Sequence, residues 1–238
     1  MRITLINPNT SRAMTAKIAA AAREVAGPGI EIVAVCPDEG PSAIESHFDE
    51  VFAAVAVVDL IDKDLRDGGS DAYVVACFGD PGLDAARELV DVPVIGIAEA
   101  AMHVASISGR SFAVVTTLSR TLGRAKDLVA RYGMAEACVS MTGSGIPVLD
   151  LEDTGSAAYE TIAGLCAEAV ADRGADVIVL GCAGMADLCT TLTARVGVPV
   201  VDGVAAAVGL ASGMSRMGVG TSKRDEYATP PSRTPVLR

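Results

Sequence analysis

Short apolar runs alternate along the whole chain with longer stretches whose apolar positions recur at helical spacing. Runs of four to six apolar residues without polar alternation mark strands covered on both faces of a parallel sheet. The pattern predicts eight strands, near 2–7, 30–35, 71–77 and 93–97, and again near 111–116, 136–142, 175–181 and 199–202. Helices are predicted between and after them, near 11–25, 49–67, 81–90, 98–107, 119–132, 155–173, 185–196 and 203–215. The tail from Gly218, with Pro230, Pro231 and Pro235, reads as irregular.

The series is written twice. Asp71-Ala-Tyr-Val-Val-Ala-Cys77-Phe-Gly79 aligns with Asp176-Val-Ile-Val-Leu-Gly-Cys182-Ala-Gly184, the two cysteines lying 105 residues apart. Downstream, Val92-Pro-Val-Ile95 matches Val198-Pro-Val-Val201, and the helix from Ala98 to Ser106 matches that from Val204 to Ser212. An internal repeat of this kind predicts two similar α/β domains with four-stranded parallel sheets, related by a pseudo-twofold axis. The helix near 98–107 carries the chain across, and by the repeat the helix near 203–215 returns it. The expected division is 1–98 with 203–238 in the first domain and 99–202 in the second. Ligands of open parallel sheets bind beyond the carboxyl ends of the strands, so the site is expected in the cleft between the domains.

Composition narrows the classes. The 19 Lys and Arg stand against 30 Asp and Glu, a net charge of −11, which argues against nucleic acid because a polyanion needs a basic surface. No apolar run approaches the roughly 18 residues of a membrane span, and the strand beginning at Arg2 leaves no room for a signal peptide. A cytoplasmic protein with no membrane partner is expected. Cysteines 36, 77, 138, 166, 182 and 189 form no Cys-x-x-Cys pair, and with His47 and His103 the only histidines, free thiols are expected and a metal site is not. No Gly-x-Gly-x-x-Gly follows a strand, and neither cysteine-bearing strand end carries a lysine. No cofactor is expected.

Cys77 and Cys182 carry the chemistry of interest, since the repeat sets both at a strand end, one in each half. Two like groups on opposite faces of one carbon acid suit inversion: one removes the proton and the other delivers one to the far face, with roles exchanged in the reverse direction. Each cysteine precedes a helix, so a helix N-terminus could favour the thiolate, and one thiolate with one thiol is the expected resting state. The other four cysteines, Cys36, Cys138, Cys166 and Cys189, read as small core residues. Asn7-Pro8-Asn9-Thr10 and Thr116-Thr117-Leu118-Ser119 end the equivalent first strands and offer polar side chains to ligand or caps to the next helix. The loop Gly40-Pro41-Ser42-Ala43-Ile44 could close over a ligand. Asp80 could tune Cys77 or cap the next helix through Pro81. His47 reads as a surface residue and His103 as part of the bridging helix.

Leu5-Ile-Asn-Pro-Asn-Thr10, Ala76-Cys-Phe-Gly-Asp-Pro-Gly-Leu83, Gly181-Cys-Ala-Gly-Met185 and Thr221-Ser-Lys223 together resemble the hydantoin racemases of the Asp/Glu racemase superfamily, over almost the whole chain. The resemblance implies two flavodoxin-like domains, no cofactor, and proton exchange by Cys77 and Cys182 at C5 of 5-monosubstituted hydantoins. Amino-acid racemases of the superfamily carry Cys-Asn-Thr where this chain has Cys-Phe-Gly and Cys-Ala-Gly, which fits a neutral ring held by backbone N–H groups and apolar contacts. The substrate-binding residues so expected are Asn9, Ser42, Phe78, Gly79, Thr116, Thr117, Ala183 and Gly184, in a homo-oligomeric enzyme acting on a small molecule. Allantoin racemases, whose substrate is a hydantoin with a ureido group at C5, are the nearest alternative. Maleate isomerases, with a cysteine nucleophile, and a non-catalytic binding module are the others.

Overall fold

The computed structural model describes residues 1–151 and 156–231. The first sheet holds β1 (Arg2–Ile6), β2 (Glu31–Val35), β3 (Ala72–Val75) and β4 (Val94–Gly96), in the order β2-β1-β3-β4. The second holds β5 (Phe112–Thr116), β6 (Cys138–Gly143), β7 (Val177–Leu180) and β8 (Val200–Asp202), in the order β6-β5-β7-β8. All pairs are parallel. Adding four to each strand number of the first order gives the second, the architecture expected of the repeat. Parallel neighbours need a crossover, and α1 (Arg12–Val25), α2 (His47–Arg66) and α3 (Leu83–Leu89) supply them in the first half, α5 (Leu122–Arg131), α6 (Ser156–Arg173) and α7 (Cys189–Val196) in the second.

The central strands are mostly apolar because helices cover both faces: every residue of β3, β5 and β7 is buried, and the polar Thr4 of β1 and Thr116 of β5 are buried with them. The edge strands β2 and β6 are only partly buried. Helix α2 turns Ala53, Val57 and Ile61 inward at a spacing of four, and starts where Ser46 accepts a hydrogen bond from the Asp49 N–H and donates its hydroxyl to that carboxylate. Helices α4 (Ile97–Ser108) and α8 (Gly203–Arg216) follow the last strand of each sheet and pack on one another. Helix α4 also lies against β7 and β8, and α8 against β3 and β4.

Element ends differ from the sequence reading by a few residues, and two differences are more than that. The helix expected near 185–196 is a 3-10 segment, Ala183–Leu188, followed by α7; the one near 119–132 likewise opens with a 3-10 turn, Ser119–Thr121, before α5. Among the described residues the tail, to 231, is irregular apart from one 3-10 turn, Asp225–Tyr227, yet it is pinned. The Thr221 N–H donates to Asp91 O at 2.7 Å, and Lys223 Nζ to the carbonyls of Arg87, Glu88 and Val90 at the end of α3, the carbonyls a helix leaves unpaired. Residue 155 of the sixth expected helix and the end of the tail, 232–238 with Pro235, lie outside the described residues.

Candidate active site

The carboxyl ends of β1, β3, β5 and β7 meet at a cleft of about 670 Å³ between the two sheets, and both Cys77 and Cys182 line it. From the β1 end come Asn7 and Asn9, from the β5 end Thr116 and Thr117, all four buried. Asn7 is spent on scaffolding: its amide donates to Asn9 Oδ1, Ser11 O and Thr15 Oγ1. Asn9 Oδ1 also accepts from the Ser11 N–H at 2.9 Å, which leaves the Asn9 amide NH2 for a ligand. Neither asparagine caps α1; Ser11 does, accepting from the Met14 N–H. Thr116 donates its hydroxyl to Gly181 O at 2.9 Å and so joins the ends of β5 and β7. The Thr117 hydroxyl makes no hydrogen bond among the described residues.

The two cysteines sit in matching turns. The Gly184 N–H donates to Cys182 Sγ at 3.4 Å, and the Gly79 N–H bonds Cys77 Sγ in the same way. These two N–H groups therefore serve the sulfurs, and the N–H groups of Phe78 and Ala183 are the ones left to a ligand in the cleft. The expected helix N-terminus is absent at Cys77: residues 78–82 separate it from α3, a helix of 7 residues. Cys182 stands before a 3-10 segment instead. Burial in the cleft walls dominates, pushing Cys77 up to about 12 and Cys182 up to about 11. Asp80, Glu50 and the facing Cys182 add to the rise at Cys77, whereas Lys17 works against it at Cys182. Burial thus works against the resting thiolate expected at one of the two from the sequence. Iodoacetamide labelling should accelerate with pH and reach Cys182 before Cys77, as read by mass spectrometry of partly labelled protein. Equal rates at the two sites would contradict this ordering.

Asp80 does not cap α3. Its carboxylate accepts from the Ala98 N–H at 3.1 Å, the Glu99 N–H at 2.9 Å and the Tyr132 hydroxyl at 2.6 Å. It therefore caps α4, 18 residues further on, and ties the Cys77 turn to Tyr132 at the end of α5. The repeat explains the detour. Asp202, at the end of β8, caps α8 directly, but its counterpart at the end of β4 is Gly96, which lacks a side chain. A Cβ on Gly96 would come 2.3 to 2.5 Å from the Asp80 carboxyl. Burial outweighs the three donors and pushes Asp80 up to about 6.

Of the other expected residues, Phe78, Gly79 and Ala183 line the cleft, and Gly184 reaches it only through its bond to Cys182. Ser42 does not line it: Ser42 is exposed, and Ile44 from the same loop takes that position. His47 is exposed and His103 lies on α4, bonded to Glu99 O. Glu50, from α2, and Arg124, from α5, also line the cleft and escaped the sequence reading. Among the described residues no group of His, Cys, Asp or Glu is arranged to hold a metal ion, and no helix is long and apolar enough to cross a membrane.

Residues 3–211 match the family model described as Asp/Glu/hydantoin racemase. The chain is 41% identical to a hydantoin racemase of Paenarthrobacter aurescens over 97% of its own length and 98% of that protein. Among solved structures it is similar to an allantoin racemase from Klebsiella pneumoniae, with 49% identity, a TM-score of 0.95, and coverage of 98% of this chain and 95% of that one. It is also similar to an allantoin racemase from Pseudomonas fluorescens, with 42% identity, a TM-score of 0.94, and coverage of 98% and 99%.

Proposed function

The chain belongs to the Asp/Glu/hydantoin racemase family, and on that premise we propose that it racemises 5-monosubstituted hydantoins, allantoin among them, with Cys77 and Cys182 exchanging the C5 proton from opposite faces of the ring. The observation that carries the reading is the pair of thiols in matching turns on one cleft, each bonded by the N–H two residues on. Removing the C5 proton throws charge onto the neighbouring carbonyl oxygen. Donors with no acceptor among the described residues stand around the cleft to receive it: the N–H groups of Phe78 and Ala183, the Asn9 amide and the Thr117 hydroxyl. One cysteine, as thiolate, takes the proton while the other, as thiol, supplies one to the opposite face. The reaction needs no cofactor.

The same reading assigns 1–98 with 203–238 to one domain and 99–202 to the other, and makes the enzyme a cytoplasmic homo-oligomer. Phe48, Val51 and Phe52 stand exposed together on α2, an apolar patch of the kind that association covers. Light scattering of the purified protein tests that part.

The function is tested by following the optical rotation of a single enantiomer of a 5-substituted hydantoin, and separately of allantoin, with protein first treated with chelator. Rotation should decay to zero with both. Rotation unchanged in both solutions, or activity that returns only on adding a metal, overturns the reading. Both thiols ionise far above neutrality, so the thiolate fraction sets the rate. The kcat/KM should rise by up to about tenfold per pH unit between about pH 6 and 8, after subtraction of spontaneous racemisation. A flat profile would mean that the working base is not one of these thiols.

A further inference from the structure

The cleft does not end at the cysteines. Past Ile44, Glu50, Thr121 and Arg124 it opens into a hollow of about 470 Å³ walled by the same four residues together with polar side chains such as His47 and Arg120. The inner end of the cleft is neutral, with Asn9, Thr116 and Thr117; the outer end is charged. Glu50 Oε1 and Cys77 Sγ lie 2.9 and 3.9 Å from one common point, the place a Cβ on Gly79 would take, so the carboxylate stands beside the thiol. Arg124 holds it there, with Nε 3.2 Å from Glu50 Oε1 and Nη2 donating to Gly79 O at 2.9 Å. Although so near, Nε has no well-directed acceptor. Among the described residues the other Glu50 oxygen has only the exposed His47 ring, at 3.5 Å. A carboxylate has room for about four hydrogen bonds, and this one has most of its capacity open toward the hollow.

A ring that sets C5 between the sulfurs and its polar edge against the inner donors directs the C5 substituent outward, toward Glu50, Thr121 and Arg124, of which Glu50 is the hydrogen-bond acceptor with open capacity. Resting on the hydantoin reading above, we propose that Glu50 is the specificity-determining residue for this substituent. It selects substituents with N–H donors, of amide or urea type, over apolar ones, and Arg124 positions the carboxylate. A urea offers two parallel N–H groups to one carboxylate. An apolar group would take water from the carboxylate and return no hydrogen bond.

The test compares kcat/KM for allantoin, with its ureido substituent, and for 5-isobutylhydantoin, in the wild type and in Glu50→Gln and Glu50→Leu. The wild type should favour allantoin. The ratio of the two constants should fall by about 100-fold in Glu50→Leu and about tenfold in Glu50→Gln, mostly through KM for allantoin. Glu50 also raises the Cys77 thiol, but that effect is common to both substrates and cancels in the ratio. If Glu50→Leu fails to fold by circular dichroism, Glu50→Gln alone decides. A ratio unchanged within about twofold, with both substrates turned over, overturns the assignment and leaves the hydantoin reading standing. A wild type that racemises neither substrate overturns both.

Discussion

Cys77→Ser and Cys182→Ser should each lower racemisation by at least about a thousandfold, because a serine hydroxyl is far too weak an acid to supply the missing base or its conjugate acid at neutral pH. The informative result is what survives. A thiolate that reaches one face of C5 still removes the proton from the enantiomer presenting it, and returns one to the same face. In deuterium oxide, Cys77→Ser and Cys182→Ser should therefore wash deuterium into opposite enantiomers with configuration retained, and the double variant into neither. Proton NMR of each purified enantiomer, corrected for spontaneous exchange, reads this directly. Exchange of the same enantiomer by both single variants would mean that the sulfurs do not face one another across the substrate.

The second large effect is on the fold. Asp80→Ala leaves two backbone N–H groups of α4 and the Tyr132 hydroxyl without their acceptor. It also puts alanine at a φ of 44°, which a small polar side chain tolerates better. A loss of about 3 kcal/mol is expected, lowering Tm by about 10 °C in a chain of this size. Gly96→Ala should do comparable damage from the other side by driving a Cβ into the same carboxylate. Asp80→Asn separates charge from shape. The Asp80 pKa rises on folding from 3.8 to about 6, so its contribution is greatest below about pH 4 and is lost as pH rises through 6. Measured against the wild type by denaturant unfolding, Asp80→Asn should be at its worst at pH 4 and recover by pH 7. A deficit that does not change with pH would show that folding leaves the Asp80 pKa unshifted.

The eight strands, their division between two like sheets and the matching places of the two cysteines were legible in the sequence because each rests on local pattern: apolar runs, helical spacing, and a motif repeated at a nearly constant offset. The rest depended on contacts between distant residues. Asp80 lies next to Pro81 in the chain, so a cap on α3 was the economical reading, yet its partners are at 98, 99 and 132. The comparison that held the clue was Gly96 against Asp202, a missing carboxylate in one copy of the repeat. Glu50 sits on an amphipathic helix and Arg124 on another, each with the look of a solvated charge; only folding brings them beside Gly79. The upward push on both thiols was hidden for the same reason. Proximity to a helix start can be read from spacing, but desolvation by the opposite wall of a cleft cannot.

The unequal surroundings of the two sulfurs meet a thermodynamic limit. Enantiomers have equal free energy, so the equilibrium constant of a racemisation is one, and kcat/KM must be identical for the two substrates whatever the protein does. Lys17 beside Cys182, and Asp80 with Glu50 beside Cys77, cannot make the enzyme a better catalyst in one direction. Their imbalance can show only as paired differences in kcat and KM that cancel in the quotient, and as an unequal occupancy of the two protonation forms to which the free enzyme returns between turnovers. A duplicated fold whose halves have drifted apart therefore keeps its symmetry where the chemistry demands it, in the ratio, and spends its asymmetry on how tightly each hand of the substrate is held.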